Sequence, residues 1–424
     1  MDSSVKTGLN DYMSFDRMRD TLMEMVDIAS PTGREGDLAA YIVNRLSAVG
    51  LDAYLQDVTP GRPNAIGILR GRGDGPNLMF TGHMDTSYDG DEDYLKGDGF
   101  KPKGVFRDGW VWGLGANNMK SGLAASLVAI EAIALSGLKL NGDIYFGGVV
   151  GETEKAAIDE FNSSGTSGYG IGSKHLVTHS LSADYCVLTE PTGLRVCIAN
   201  MGVLWVKISL GGTISHAALA RDKRVVNAVE LMNDLVPEIK AWSDRYWQSH
   251  EFLGEKPNVT IAAIRGGNPW RLARNPYECS LYLDIRTVPG QRADDVIRSL
   301  RAVLRSFAET RNAPEPRLQM FVNDPPTTID AESPLAQAMH AAHEAVVGTR
   351  SPDIIRRPGA DATHFNRYDV PCVVYGPGGG NHPDVKDKLM HAVGEHASVE
   401  KLVTAGRVYA SLALDVCQRN ISVR

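Results

Sequence analysis

The sequence predicts an α/β protein with a central, mostly parallel sheet, interrupted by a smaller inserted α+β domain. Three observations support this fold class. Apolar, β-prone runs alternate with helical segments over residues 1–198. Over residues 199–323 the strands instead alternate polar with apolar side chains, which is typical of antiparallel sheets. The first pattern returns after residue 323, so we expect residues 1–198 and 324–424 to form the main domain and residues 199–323 to be inserted into it.

Each element of the main domain follows from a local pattern. Apolar residues at helical spacing predict helices at residues 15–28, 35–49, 123–135, 333–347 and 398–416. Short apolar runs bounded by turn residues predict strands at residues 51–56, 64–69, 78–82, 143–150, 183–188 and 372–375. The polar or glycine-rich stretches 88–108 and 161–172 predict loops, and long loops often border a functional site.

The inserted segment has the element order β-α-β-β-α. Strands are predicted at residues 203–210, 259–264 and 279–285, with helices at residues 225–242 and 293–307. In the first of these strands Lys207 and Ser209 alternate with apolar residues, so we expect one face of it to be solvated. This order predicts a ferredoxin-like α+β domain.

Composition argues against several classes of protein. The 424 residues carry a net charge of −7, and no basic cluster indicates a nucleic-acid-binding or membrane-surface protein. We expect no transmembrane helix, which needs an apolar run of about 20 residues, and the polar N-terminus is unlike a signal peptide. The five cysteines are an odd number without a CxxC pair, so we expect a cytoplasmic protein rather than a disulfide framework or a cysteine zinc site.

Candidate metal ligands follow three of the predicted strands. His83 and Asp85 follow the strand at 78–82, and Glu152 and Glu190 follow the strands at 143–150 and 183–188. The carboxyl ends of parallel strands meet at one edge of a sheet, where ligands bind. Imidazole and carboxylate groups without a thiolate suit Zn²⁺, Mn²⁺, Co²⁺ or Fe²⁺. Each residue alone also fits an ordinary solvated loop, and it is the coincidence at three strand ends that favours a metal site.

Several motifs in the same order resemble the M20 family of metal-dependent hydrolases, which includes carboxypeptidases, acetylornithine deacetylase and aminoacylases. They are His83-Met-Asp85, Gly113-x-Gly-Ala-x-x-Met-Lys-Ser-Gly122, Glu152, Glu190-Pro-Thr192 and His391-Ala-Val-x-Glu395. The resemblance runs from about residue 27 to the C-terminus. It implies a catalytic domain interrupted by a lid domain, with two chains paired through their lids as a homodimer.

The resemblance also implies roles for individual residues. His83 and Glu190 would bind one metal ion and His391 a second ion, with Asp85 orienting His83 and Glu152 acting as general base. His216 would reach across the dimer to stabilise an oxyanion, a role suited to a hydrogen-bond donor. The substrate would contact Arg286, Asn275 and Gly378, with the Arg286 guanidinium holding a substrate carboxylate.

Two positions depart from the family pattern. The family has a metal-bridging aspartate where this chain has Asn118, and a second glutamate where it has Thr153. Two cations about 3.5–4 Å apart need such negative charge. We therefore expect one dominant divalent ion, Mn²⁺ or Zn²⁺, with Asn118 among the metal-site residues and any second site labile. Two alternatives stay open: Glu154 could replace the missing ligand, or Glu152 could itself be a ligand while another group acts as base.

These features predict an enzyme that hydrolyses a C–N bond in a small carboxylate-bearing molecule. Because the metal site is altered, the preferred specific hypothesis is hydrolytic deamination of an aromatic amine such as 5-nitroanthranilate, with release of ammonia. The first alternative is an amidohydrolase or peptidase acting on N-acyl amino acids or dipeptides. The second alternative is a non-catalytic binding protein on a hydrolase scaffold.

Overall fold

The chain forms two compact units. The structure is a computed structural model, and it describes residues 3–153, 156–160, 167–179, 181, 183–386 and 394–419. The first unit comprises Met1–Ala199, Thr328–Ile354 and Ala360–Arg424, and the second comprises Asn200–Thr327 and Ile355–Gly359.

The first unit is built on a mixed sheet with four parallel strands at its centre. The strands of this unit are β1 (Asp52–Thr59), β2 (Arg62–Leu69), β3 (Leu78–His83), β4 (Val105–Arg107), β5 (Trp110–Trp112), β6 (Ile144–Val149), β7 (Tyr185–Leu188), β8 (Val196–Asn200), β13 (Thr327–Thr328), β14 (Asp353–Arg356), β15 (Cys372–Val374) and β16 (His396–Ser398). Three of them form a separate small antiparallel sheet of order β16-β5-β4. The large sheet has the order β1-β2-β6-β3-β7-β15-β8-β13, with β14 paired to β8. Strands β6, β3, β7 and β15 run parallel, whereas β1 and β2 add antiparallel strands at one edge.

Helices cover both faces of this sheet. They are α1 (Ser3–Tyr12), α2 (Phe15–Asp27), α3 (Gly36–Ala48), α4 (Ser121–Leu135), α5 (Ile171–His179), α8 (Pro334–Val347), α9 (Ala362–Asn366) and α10 (Val399–Cys417). Successive side chains of β3 enter two different cores, since Phe80 packs in the core beneath α4 and α10, while Met79 packs in the core beneath α5 and α9. Helix α10 itself packs against α4 and α8.

The second unit has the order β-α-β-β-α-β. Its elements are β9 (Gly202–Gly211), α6 (Ala228–Trp247), β10 (Asn258–Gly266), β11 (Glu278–Thr287), α7 (Ala293–Arg311) and β12 (Arg317–Asp324). They form an antiparallel sheet of order β10-β11-β9-β12, with the apolar side chains of α6 and α7 packed in the same core. The predicted fold class, a mostly parallel α/β sheet with an inserted α+β unit, is confirmed.

The prediction that one face of β9 is solvated is wrong. Lys207 and Ser209 are both buried. The reason is that β9 is a central strand, so its polar side chains are shielded by those of the neighbouring strand β11. The Lys207 ammonium lies 5.7 Å from the centre of the Tyr282 ring, and Ser209 shares a hydrogen bond of 3.0 Å with Ser280.

Some elements were not predicted. The sequence patterns did not predict helix α5 or strand β12. The expected loop at 88–108 contains strand β4 and a short helical turn at Asp98–Phe100. Among the described residues one segment, Ala116–Leu135, is long and apolar enough to span a membrane by length and composition alone. Its apolar window is 83% buried inside the protein, as in the central helix of a folded core.

Candidate metal centre

The pairing of three parallel strands brings the candidate ligands to one edge of the sheet. Strand β3 lies between β6 and β7, with Thr81 opposite Leu188. Two residues further on, His83 therefore comes level with Glu190. On the other side His83 pairs with Val149, and Glu152 follows three residues later. All three side chains therefore follow the carboxyl ends of parallel strands, where such sheets bind ligands.

His83, Glu152 and Glu190 form one cluster of potential metal ligands. One ligand atom from each side chain lies within 4.8 Å of the others. The His83 Nε2 atom is 3.6 Å from Glu152 Oε2 and 3.6 Å from Glu190 Oε1. The side chains of His83 and Glu190 have no exposed surface, whereas 15% of the Glu152 side chain is exposed. Glu152 is therefore the member of the cluster that solvent reaches.

The orientation of His83 is set by the main chain of Asp85. The His83 Nδ1–H group donates to the Asp85 carbonyl oxygen at 2.8 Å, while the nearest Asp85 carboxylate oxygen is 3.5 Å away. This bond leaves Nε2 facing the carboxylates, the arrangement usual for a metal-binding histidine. Asp85 was expected to orient His83, and in the structure its closest contact with the ring is made through its backbone.

The Asp85 side chain instead joins the end of β3 to the end of β6. Its Oδ2 atom accepts hydrogen bonds from Thr153 Oγ1 at 2.7 Å, Thr153 N at 3.0 Å and Thr32 Oγ1 at 3.0 Å. Its Oδ1 atom accepts one from Glu152 N at 3.0 Å. Burial raises the pKa of Asp85, but His83 and these donors outweigh burial and hold the pKa well below its usual value.

The electrostatics of the cluster favour a bound cation. Burial lowers the pKa of His83, but Glu152, Asp85 and Glu190 together outweigh burial and raise the pKa well above its usual value. Buried carboxylates packed around one imidazole thus hold a positive charge in place. A divalent cation supplies that charge better, because one imidazole nitrogen and carboxylate oxygens suit Zn²⁺ or Mn²⁺. The donor set therefore fits a metal.

The two departures from the family pattern lie on either side of the cluster. Asn118 lies in the turn Ala116–Lys120, its peptide bond to Met119 is cis, and its Oδ1 atom is 3.4 Å from His83 Nε2. The Thr153 hydroxyl is directed to Asp85. Within the described residues, the only cluster of three or more His, Cys, Asp or Glu side chains close enough to share an ion is the one at His83.

Two residues to which no role was assigned from sequence, Thr32 and Glu395, support the site. Thr32 reaches Asp85 because the segment containing it runs beside Thr86, with Thr32 N donating to Thr86 O at 3.2 Å. Glu395 is buried, and its Oε2 atom accepts the Asn118 N–H group at 2.8 Å. Glu395 lies in one of the family motifs, and Thr32 lies in the segment Ile28-Ala-Ser-Pro-Thr-Gly33, which also fits the family pattern.

Glycines bring two further segments against Glu190. A Cβ atom on Gly122, in the first turn of α4, would lie 1.8 Å from the Thr189 carbonyl oxygen. A Cβ on Gly378 would lie 2.4 Å from the Asn117 carbonyl oxygen and 3.0 Å from a Pro191 side-chain atom. Gly378 therefore allows close packing beside the site, and its contact with substrate stays a prediction.

The other predicted residues are placed as follows. His391 and Glu154 lie outside the described residues. In the second unit, His216 is exposed and its Nδ1 atom accepts the Ala218 N–H group at 3.1 Å. Asn275 Nδ2 donates to the carbonyl oxygens of Thr213 and Val226, at 2.7 and 2.8 Å. Arg286 donates to both carboxylate oxygens of Asp284, at 2.6 and 2.8 Å. Their predicted catalytic and binding roles stay predictions.

The profile of peptidase family M20/M25/M40 matches residues 79–415, which is most of the chain. This chain belongs to that family. The predicted family resemblance is confirmed, and so is the prediction of a hydrolase that acts on C–N bonds.

Individual relatives agree with this assignment. The chain is 24% identical to N-formyl-4-amino-5-aminomethyl-2-methylpyrimidine deformylase of Bacillus subtilis, with 94% of this chain and 93% of that protein aligned. It is 27% identical to acetylornithine deacetylase of Edwardsiella ictaluri, with 90% and 91% aligned. Its fold is similar to a Staphylococcus aureus tripeptidase, with a TM-score of 0.75, 19% identity, and 96% of this chain and 99% of that chain covered.

Proposed function

We propose that this protein hydrolyses an acyl C–N bond in a small carboxylate-bearing molecule, with Glu152 as the general base. The observation that carries the proposal is the cluster of His83, Glu152 and Glu190 at the ends of three strands, within 4.8 Å of one another. The relatives support the bond type, since one is named a deformylase and another a deacetylase. The sequence alone favoured deamination of an aromatic amine, and our proposal instead places hydrolysis of an acyl C–N bond first.

In this proposal His83 and Glu190 hold a divalent cation, Mn²⁺ or Zn²⁺, while Glu152 moves protons. A cation bound there would lower the pKa of water and polarise the substrate oxygen. Glu152 takes a proton from the attacking water, because it is the cluster member that solvent reaches. As the water oxygen bonds to the acyl carbon and the C–N bond breaks, Glu152 returns the proton to the leaving nitrogen.

We also propose that a single ion dominates. Asn118 is neutral, and the Thr153 hydroxyl bonds to Asp85, so neither adds negative charge beside a second cation. Two adjacent divalent ions repel each other strongly unless carboxylates neutralise them. Metal analysis of purified protein should give roughly one tightly bound ion per chain. Two equally tight ions would contradict this proposal.

A second candidate reaction is the hydrolytic deamination of an aromatic amine such as 5-nitroanthranilate. What favours it is the same change at Asn118 and Thr153, since an altered metal site permits altered chemistry. A panel of N-formyl and N-acetyl amino acids, dipeptides and aryl amines separates the two reactions. A released carboxylic acid indicates acyl hydrolysis, and ammonia without an acyl product indicates deamination. If neither appears with metal-loaded protein, both candidates fail.

The partner in our proposal is a second copy of the chain, bound through the second unit. Strand β10 is an edge strand, and Ile264 on it is exposed, as are Trp270 and Leu272 in the loop that follows. An open edge flanked by apolar side chains favours association. Since His216 Nδ1 accepts a hydrogen bond, Nε2 carries the proton of the neutral ring and can donate to an oxyanion in the partner's active site.

Mixing two inactive variants tests this arrangement. His216→Ala and Glu152→Gln chains should regain activity when mixed, because each mixed dimer contains one site with both groups intact. Each variant mixed with itself is the control. No recovery in dimers shown to exchange subunits would place His216 and Glu152 of one site in the same chain.

We propose a reducing, cytoplasmic location for the enzyme. The support is that all five cysteines are buried thiols that form no disulfide with one another, namely Cys186, Cys197, Cys279, Cys372 and Cys417. Fractionation of cells of the source organism, followed by immunoblotting, tests this location. Recovery of the protein in an extracytoplasmic fraction would contradict it.

A further inference from the structure

Helix α5 carries two histidines one turn apart. His175 and His179 are separated by four residues, which places them on the same face of the helix. Their rings are stacked, with centroids 4.1 Å apart and an angle of 6° between the planes. His179 is exposed and His175 is partly exposed, so both rings can be reached from solvent. Neither belongs to the His83 cluster.

Hydrogen bonds fix which nitrogen of His179 carries the proton. Thr178 Oγ1 donates to the Lys174 carbonyl oxygen at 2.7 Å, and the same oxygen lies 2.7 Å from His179 Nδ1. Because the hydroxyl proton is already used, Nδ1–H of His179 must be the donor in that second bond. The same Nδ1 atom lies 3.1 Å from the His175 carbonyl oxygen. The Nε2 atom of His179 therefore keeps its lone pair.

This is how a metal-binding histidine is normally held. Such a residue usually donates its second ring N–H to a carbonyl or similar acceptor, which fixes both the tautomer and the ring orientation. Burial and the nearby His179 lower the pKa of His175, which favours the neutral form of its ring that binds metals. The two imidazole rings face solvent side by side.

We propose that His175 and His179 form a second, surface metal site that takes Zn²⁺, Ni²⁺ or Cu²⁺, with water as the remaining ligands. Metal–nitrogen bonds of about 2.0–2.1 Å at a tetrahedral angle place two ligand nitrogens roughly 3.3 Å apart. The ring centroids are 4.1 Å apart and the ring planes are nearly parallel, so both rings must turn about their χ2 bonds to direct their lone pairs at one ion. Imidazole ligands suit these metals.

The start of α5 is hydrogen-bonded to the segment that precedes Glu152. At the start of α5, Gly172 N donates to Val150 O at 3.0 Å, and just before it Gly170 N donates to Gly151 O at 2.9 Å. Val150 and Gly151 are the two residues directly before Glu152. An ion bound at the far end of the helix would stabilise the helix that these bonds attach to the Glu152 segment, since binding to the folded state stabilises it.

Immobilised nickel provides the first test, because it reaches only surface histidines. Untagged full-length protein should be retained on a nickel column and eluted by imidazole. His179→Ala and His175→Ala should each elute much earlier. His250→Ala is the matched control, because it removes an exposed histidine that has no histidine neighbour at i±4, and it should be retained like the unchanged protein. Equal retention of all four proteins would overturn the proposal.

Calorimetric titration with Ni²⁺ provides the second test. Protein already loaded at the catalytic site should show one further binding event per chain. In His179→Ala this event should weaken at least about tenfold, because one of two protein ligands is lost. Circular dichroism and the activity of the loaded enzyme should be unchanged, which separates loss of the surface site from misfolding. An unchanged titration in the variant would refute the assignment.

Discussion

Replacing Thr153 with valine removes the hydrogen bond that its hydroxyl donates to Asp85. Valine has nearly the same shape and keeps the backbone N–H, so the change removes the 2.7 Å bond from Oγ1 to Asp85 together with the contact between Oγ1 and the Thr32 hydroxyl. Hydrogen bonds to buried charged groups contribute about 1.5–3 kcal/mol. Asp85 keeps three other donors, namely Thr153 N, Glu152 N and Thr32 Oγ1. We therefore expect the free energy of unfolding to fall by about 1.5–2 kcal/mol, at the lower end of that range.

The same change should weaken metal binding. Asp85 fixes the spacing between the end of β3, which carries His83, and the backbone of Glu152. Loss of a group that supports metal ligands typically lowers metal affinity by about 10–100-fold. Urea unfolding of the metal-free protein measures the stability change, and titration with Mn²⁺ measures the affinity.

Thr153→Ser is the matched control. It keeps the hydroxyl and removes one methyl group, so its stability should stay within about 1 kcal/mol of the unchanged protein. If Thr153→Val matches the unchanged protein in both stability and metal affinity, the Asp85 network does not hold the two strand ends together, and our reasoning is refuted.

Three other predictions test the site and its surroundings. Glu152→Gln should lower kcat by about 10²–10⁴-fold with metal content unchanged, whereas Glu190→Gln should lower metal content. Loss of metal in Glu152→Gln but not in Glu190→Gln would make Glu152 the ligand. Arg62→Met should lower the free energy of unfolding in urea by about 3–5 kcal/mol, because Arg62 and Glu35 form a buried ion pair. The double variant Arg62→Met, Glu35→Leu should recover most of this loss. If Arg62→Met is as stable as the unchanged protein, this prediction is refuted. Asn118→Asp adds a carboxylate beside His83 and should raise the number of tightly bound Mn²⁺ ions towards two, which elemental analysis after dialysis would show; an unchanged number contradicts our charge argument.

The core of the candidate site could be predicted from sequence because it depends on local patterns and one general rule. The apolar runs before His83, Glu152 and Glu190 identify strands, and parallel strands deliver their carboxyl ends to one edge. The 3.6 Å distance from His83 to Glu190 follows from the register of β3 with β7.

Other parts of the fold could not be predicted, because no local pattern encodes them. The sequence of α5, Ile-Gly-Ser-Lys-His-Leu-Val-Thr-His, contains glycine and several residues of low helix propensity. It is helical because Leu176 is buried beneath the sheet and Gly172 bonds to Val150. Burial of Lys207 was missed for a similar reason, since only the pairing order makes β9 a central strand.

The class of fold, the strand ends that carry His83, Glu152 and Glu190, and the chemistry of the donors placed there all follow from the amino-acid sequence. Hydrophobic spacing and residue type are local properties, and they are enough for those conclusions. The packing of the folded chain is needed to show that the Thr153 hydroxyl points to Asp85, and that Thr32, 53 residues before Asp85 in the chain, completes the same network. Such contacts depend on how distant segments pack, because a side chain's hydrogen-bond partner is fixed by position in space rather than by its neighbours in sequence.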